Sequence, residues 1–364
     1  MRFHLVSLPH TQTTDDFSSC AYTQKVRGFA RMMMELGHEV FLYAGEFNNA
    51  PCTEHVSCIS EAGRLAACGG LHYTQASFDG ALPHWVDFNR AVIAAIQHRI
   101  QPKDFICVIS GRNAKPIADA FFPGSMTVEF GIGYGGTFSQ YRIWESYAWM
   151  HTVYGAQCAT RDPHTIDGIW FDAVIPGYLD ITEFPFSEEK DDYFLYVGRL
   201  TDRKGWKIAE EICKHRGKRL IIAGQGDTPT YGEHVGSVVP PARNLLMMRA
   251  QALIMPTVYI EPFGNVAIEA MACGTPVIST DWGAMTETVI EGVTGFRCRT
   301  FQEFVEATYN VKHLNCKNIR SWVAQNYSLA VIAKQYERHF HRLMNLWTDG
   351  WYYLPSTQRK SEAA

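Results

Sequence analysis

Short apolar runs alternate along this chain with longer segments whose apolar residues recur at helical spacing. Phe3 to Leu8 is an apolar run ended by Pro9, and the polar loop HTQTTDDFSS follows it. Ala21 to Leu36 places Val26, Phe29, Ala30, Met33 and Met34 on one side of a helix, which Gly37 stops. His38 to Ala44 is a second strand. This β-loop-α-β opening predicts a parallel sheet. A helix over Trp85 to Ile100, a buried strand over Asp104 to Ser110, a short helix over Ala114 to Phe121 and a strand over Met126 to Phe130 continue it. Ala148 to Val153 and Ala173 to Pro176 are expected as further short strands.

Residues 178–192, YLDITEFPFSEEKDD, are polar, proline-containing and charged, and are expected to link two domains. A second β/α series starts at Tyr193. Its strands are expected at residues 193–198, 219–224, 234–239, 252–257 and 276–280. Its helices are expected from Trp206, from Pro241, over Asn265 to Cys273 and over Thr286 to Glu291. Ser328 is a cap for a last helix to Trp347, with Leu329, Ile332, Ala333, Tyr336, Phe340, Leu343, Met344 and Trp347 as an apolar stripe. The pattern predicts an N-terminal β/α domain over 1–183 and a C-terminal one over 184–327. A helix over 328–350 would pack back on the first domain, and 351–364 would be a disordered tail.

Composition narrows the classes. The chain has 364 residues, and about 150 residues per domain gives about two domains. Hydrophobic residues at 46% and charged residues at 19% exclude a mainly disordered chain. No apolar run approaches the roughly 20 residues of a membrane span. The first residues read as a strand rather than a signal peptide. Thirty-three Lys and Arg against 37 Asp and Glu leave a formal charge of −4. That argues against a protein gripping nucleic acid mainly by charge. Ten cysteines form no C-x-x-C pair and read as reduced thiols of a cytoplasmic protein. The 14 histidines show no zinc spacing, so no metal is expected.

The most informative segment is residues 261–296, EPFGNVAIEAMACGTPVISTDWGAMTETVIEGVTGF. A strand over Ala252 to Pro256 leads to a loop ending at Gly264, and a helix starts near Asn265. That helix start lies at the carboxyl end of a parallel strand, where open α/β sheets bind ligands. Free N–H groups at Gly264, Asn265 and Val266 suit a diphosphate. Glu261 and Glu269 flank the helix start, and a carboxylate accepts two sugar hydroxyls at once. Glu269 sits in an otherwise apolar helix, which sets it apart from a solvated surface residue.

The pattern E-P-F-G-x-x-x-x-E-A-M-A-x-G-x-P-V-I resembles the donor-site signature of family-4 glycosyltransferases. LYVGRLTDRKG (195–205) resembles their G-R-L…K-G element and RLIIAGQGD (219–227) their glycine-containing strand-turn. GAMTETVIEGVTG (283–295) resembles a fourth element, with Ala284 and Thr286 in place of the usual Gly and Pro. The resemblance implies a GT-B architecture of two facing Rossmann-like domains. It implies a UDP- or GDP-sugar donor, retention of anomeric configuration, and no further cofactor. Arg199 and Lys204 would hold the pyrophosphate and balance the leaving charge. Glu261 would contact the donor sugar and Glu269 the ribose. Gly198, Gly224, Phe263, Gly264, Asn265 and Val266 would frame the donor. No D-x-D motif sits in a suitable loop, so a metal-independent enzyme is expected.

The first domain is less familiar. His10, Thr11 and Thr13 are candidate hydrogen-bond donors from the loop after the first strand, or part of a polar surface loop. Gly131, Gly133 and Tyr134 in FGIGYGG line an acceptor site or form a plain turn. His151, in SYAWMHTVYG, is a core residue or a donor-sugar contact. The phrases LPHTQTT and ESYAWMH are similar to family-4 enzymes of phages and other viruses. The acceptor is a saccharide or lipid-linked sugar, or a hydroxymethylated base in DNA. KHRGKR (214–219) and RIQPK (99–103) are local basic runs or solvated helix ends. A sugar-nucleotide epimerase and a non-catalytic sugar-nucleotide-binding protein are the alternative classes.

Overall fold

The computed structural model describes residues 1–158 and 162–349, so the expected tail at 351–364 and the Trp347 side chain lie outside the described residues. The chain divides into two compact units. One holds Met1–Ile143, Gly168–Ile175 and the residues from Ile332 onward; the other holds Trp144–Asp167 and Pro176–Val331.

The first unit is a seven-stranded sheet built from β1 (Arg2–Val6), β2 (Glu39–Gly45), β3 (Glu54–Ile59), β4 (Phe105–Val108), β5 (Met126–Ile132), β6 (Tyr141–Trp144) and β7 (Asp172–Val174). Its order is β3-β2-β1-β4-β5-β6-β7, with the pairs from β3 to β5 parallel. The central strands are mostly apolar and buried on both faces, as covered parallel strands are, with His4 of β1 and Thr127 and Glu129 of β5 as buried polar residues. Helices α1 (Ala21–Glu35), α2 (Glu61–Ala67), α3 (Pro83–Gln97) and α4 (Lys115–Phe121) connect them. Val26, Phe29, Ala30 and Met33 of α1 are buried, as their spacing predicts. The strand order reverses between β1 and β4, so the loops after these strands border a crevice of the kind that binds ligands.

The segment read as a strand at Ala148 to Val153 is instead a helix, α5 (Tyr147–Gln157). Its β-branched and aromatic residues suit either state, and its start decides. The Ser146 hydroxyl accepts from Trp149 N, and the Glu287 carboxylate accepts from the N–H groups of Tyr147 and Ala148. The Ser146 hydroxyl also donates to the Pro262 carbonyl, so the segment clusters with the second unit.

The second unit has α6 (Trp206–Arg216), α7 (Ala242–Arg249), α8 (Asn265–Ala272), α9 (Met285–Thr288), α10 (Phe301–Asn310) and α11 (Cys316–Tyr327) around six strands. These are β8 (Phe194–Val197), β9 (Leu220–Ala223), β10 (Glu233–Gly236), β11 (Leu253–Met255), β12 (Val277–Thr280) and β13 (Gly295–Cys298). They are parallel in the order β10-β9-β8-β11-β12-β13. This is the order of the first six strands of the other sheet, with its switch point between β8 and β11. Both units are Rossmann-like α/β domains.

The expected boundary at 183/184 does not coincide with this division. Residues 178–192 pack on the second unit instead of linking freely. Leu179 bridges to Ser328, Phe184 is buried, and the Lys190 ammonium donates to Met248 O and Thr275 Oγ1. Sequence polarity hid this, because the anchors are single residues among charged ones.

The last helix, α12 (Leu329–Asp349), places Tyr336, Phe340 and Leu343 in the first unit's core. The Phe340 ring lies 4.7 Å from Phe3 and 4.9 Å from Phe105 between centroids. Burial of such a ring contributes about 2–3 kcal/mol.

Two buried histidines make this unit acid-labile. His10 is 1% and His339 7% exposed, and burial lowers each pKa to about 4. The unfolded chain takes up these protons near pH 6.5, while the folded unit refuses them until about pH 4. Their contribution is complete above pH 6.5 and is lost as pH falls from there towards 4, about 3 kcal/mol per histidine. Thermal melts should therefore show the first unit's Tm falling steeply between pH 6.5 and 4.5. His339→Leu should flatten part of that fall; a Tm independent of pH over this window contradicts the argument.

Candidate functional site

The loops after β8 and β11 meet at the second sheet's switch point, and glycines let them meet. A Cβ on Gly224, after β9, would collide with the Gly198 carbonyl. Leu200 N donates to Gln225 O at 2.7 Å, and Asp227 N to Leu200 O at 3.0 Å. On the other side, Val258 N donates to Arg203 O at 2.9 Å. These backbone bonds bring Lys204, in the turn Asp202–Lys204, to the loop that carries Glu261.

The Lys204 ammonium donates to Glu261 Oε2 and to the Tyr259 hydroxyl, each at 2.8 Å. Tyr259 in turn donates to Glu261 Oε2 at 2.7 Å. Burial, and then the Glu261 charge, push the Tyr259 phenol pKa well upward, so it stays a protonated donor. The Lys204 ammonium has three protons and two are committed, which leaves one for a ligand. No hydrogen bond reaches Glu261 Oε1 among the described residues. Arg199 is exposed, and its carbonyl accepts from Tyr196 at 3.0 Å.

Gly264 caps α8 at φ +85°, and no side chain makes a capping hydrogen bond there. The N–H groups of Asn265 and Val266 are first-turn donors without intrahelical acceptors. Both residues are half-buried. Phe263 is buried against Gly177 and the Tyr327 ring, so it holds the loop in place from behind. Glu269 pairs with Arg243 of α7 at 3.1 Å.

Arg199, Lys204 and Glu261 therefore gather at one loop junction with Gly198, Gly224 and Gly264. Glu269 lies more than a turn into α8 with its own cation. Sequence reasoning missed Tyr259, Arg243 and Glu287. The spacing of Tyr259 and Glu261 in YIE was a usable signal, since residues two apart in extended chain share a side.

The first-unit candidates form a separate constellation. The Thr11 hydroxyl bonds Thr23 at 2.8 Å, and Thr13 donates to Asn48 at 2.7 Å. The Gly131 carbonyl accepts from Lys25 at 3.0 Å. Gly133 follows at the half-buried end of that turn, and the Tyr134 hydroxyl donates to Glu129 at 3.3 Å. His10 is buried with Nδ1 unpartnered. His151 is exposed on α5, which corrects its reading as a core residue: the helix turns it outward between Tyr147 and Tyr154. The basic runs are locally paired, Lys218 with Asp192, Arg219 with Glu233 and Arg99 with Glu54.

Among the described residues no group of three or more His, Cys, Asp or Glu side chains is placed to hold a metal. No helix among them is long and apolar enough to cross a membrane. The ten cysteines are unpaired thiols.

The structure is similar to that of AviGT4, a glycosyltransferase involved in avilamycin A biosynthesis. The TM-score is 0.69 at 18% identity, over 94% of this chain and 98% of that one. It is also similar to Anabaena Alr3699/HepE solved with UDP-glucose, with TM-score 0.59 at 14% identity over 95% and 99% of the two chains. In sequence it is 33% identical over 147 residues to the glycogen synthase of Mycobacterium tuberculosis, covering 34% of this chain and 35% of that protein. The chain thus matches about a third of the length of this curated relative. Residues 191–312, which run from before β8 through α10 and carry Lys204, Tyr259 and Glu261, match the family described as glycosyl transferases group 1.

Proposed function

We propose that the chain is a retaining glycosyltransferase that moves a sugar from a UDP- or GDP-sugar to an acceptor hydroxyl without a metal. The observation that carries this reading is the Lys204–Tyr259–Glu261 cluster beside the uncapped start of α8, at the carboxyl end of β11.

The third Lys204 proton, the exposed Arg199 guanidinium and the first-turn N–H groups of α8 suit a diphosphate. Charge that develops on the leaving diphosphate would be met by these groups, which supports a metal-independent reaction. Glu261 Oε1 suits a sugar hydroxyl, with Lys204 and Tyr259 holding the carboxylate in place through Oε2. Glu269 suits the ribose, where a hydroxyl pair would share its oxygens with Arg243. With the Glu261 carboxylate given to a sugar hydroxyl, front-face attack with the leaving phosphate accepting the acceptor's proton fits a retaining outcome. Ten unpaired thiols suit a reducing, cytoplasmic setting.

The test is a panel of nucleotide sugars against saccharide, lipid-linked and hydroxymethylated-DNA acceptors, read by product mass with and without EDTA. UDP-glucose is the first donor, since the HepE neighbour holds it. The expected result is an acceptor heavier by one glycosyl residue, with EDTA without effect and the donor's anomeric configuration kept in the product's NMR spectrum. Isomerised donor formed without acceptor identifies an epimerase instead. Binding without turnover across the panel identifies a binding protein.

A further inference from the structure

The loop after β8 carries Arg199, Arg203 and Lys204, and of these Lys204 alone meets a carboxylate, that of Glu261. Arg199 and Arg203 are exposed and make no ion pair among the described residues. Other cations of this unit's loops are paired: Lys207 with Asp202, Arg243 with Glu269, and Arg297 and Arg299 with Asp281. Arg203 is nonetheless held. Its guanidinium carbon lies 4.8 Å from the centroid of the Tyr259 ring, and its carbonyl accepts from Val258 N at 2.9 Å. The ring is fixed in turn by its hydroxyl, on Lys204 and Glu261. The Lys204 ammonium lies 4.9 Å from the same centroid, so two neighbouring cations are drawn to one aromatic ring.

The charges of Arg199 and Arg203 both reach the Tyr259 phenol, opposing the upward push of burial and of Glu261. Around this ring Arg199, Arg203 and Lys204 stand against Glu261, which leaves two positive charges over. The diphosphate of a nucleotide sugar carries one negative charge on each phosphate, so the excess matches it. In transfer, the bond between the anomeric carbon and a phosphate oxygen breaks with its electron pair on that oxygen. The acceptor oxygen bonds the carbon, and its proton passes to the phosphate. Negative charge grows on the diphosphate as the bond breaks, and another cation within reach stabilises it. A cation–π contact is weaker than a charge-assisted bond to phosphate, so the guanidinium gains by leaving the ring for the ligand.

We infer that Arg203 is a third cation for the donor's diphosphate, kept beside Lys204 by the Tyr259 ring and taken up by the phosphates as the leaving charge forms. This rests on the nucleotide-sugar reading and adds a catalytic residue to it. Titrations of the full chain with UDP and GDP, each alone and as its glucose ester, in EDTA and in magnesium, test it. Arg203→Gln should weaken binding of the diphosphate about tenfold in EDTA, and of its glucose ester only about threefold. The free diphosphate carries the charge that transfer creates, so it feels the loss more. Magnesium should restore most of the variant's loss and leave wild-type affinity unchanged, because a divalent cation supplies the missing charge. Arg203→Lys should lose less than Arg203→Gln. Lys207→Gln, which removes another exposed cation of the same unit, should bind as wild type does, and all three variants should melt with it.

A loss that magnesium leaves uncorrected, or that Lys207→Gln shares, overturns the inference, as does a wild type that itself needs magnesium. Wild-type binding with Arg203→Gln indistinguishable from it removes Arg203 alone and leaves the nucleotide-sugar reading standing. Binding of neither UDP nor GDP by the wild type overturns that reading, and this assignment with it.

Discussion

Lys204→Met should lower kcat by about 10²- to 10³-fold, the usual effect of losing one preorganised donor to developing charge. Methionine keeps most of the aliphatic stem and removes the ammonium. Two bonds are lost, one to Glu261 and one to Tyr259, together with the proton left for the diphosphate. The loss should fall mainly on kcat, because the leaving group gains its charge during the reaction rather than on binding. KM for the donor should rise only a few-fold, since Arg199 and the start of α8 remain. Lys204→Arg should recover only part of the rate, as a planar fork cannot meet Glu261, Tyr259 and a phosphate from one point. Melting curves distinguish this from misfolding, since the Lys204 side chain is only partly buried and its loss should leave the second unit folded. Turnover within threefold of wild type would remove Lys204 from the mechanism.

What was legible in the sequence follows from which interactions are local. The apolar runs of β1, β2, β4, β5, β8, β9, β11 and β12 stand out because both faces of these strands are buried. The peripheral β3, β6 and β13 were not anticipated. In EHVSCI polar residues interrupt the run, and YRIW and GFRC each carry an arginine whose partner the apolar pattern does not show. Arg142 of β6 is such a case: it is buried in a bidentate pair with Asp172, the first residue of β7. The residues of the loop junction stood out because glycines and carboxylates there sit at fixed spacing around one helix start. Tyr259 was legible only as a neighbour of Glu261 in YIE, and its bond to a lysine 55 residues away was not. The hydroxyls of Thr11 and Thr13 looked available for a ligand because the sequence does not show Thr23 and Asn48 beneath them.

Gly205→Ala should destabilise the second unit by about 3 kcal/mol or more, while Gly217→Ala, at the other end of α6, should cost about 1 kcal/mol. Both glycines are left-handed, at φ +73° and +58°. An L-residue therefore carries a similar conformational penalty at either position, and the difference lies in the space around them. A Cβ at Gly217 meets nothing within 4 Å. At Gly205 it would lie inside contact distance of the Pro256 carbonyl, with backbone atoms as its nearest neighbours. Backbone cannot rotate aside as a side chain does. Here it is also pinned, because Val258 N bonds Arg203 O and β11 ends at Met255 in register with β12. Relief requires the β8 loop to lift from the β11 loop, which draws Lys204 away from Glu261. With about 2–4 °C per kcal/mol for a unit of this size, Gly205→Ala should melt about 6–12 °C below wild type and Gly217→Ala about 2–4 °C below. UDP affinity should fall only in the first. Equal melting temperatures in the two variants would mean that the loops are not held in contact at Gly205, and the close approach that assembles Lys204, Tyr259 and Glu261 would need another cause.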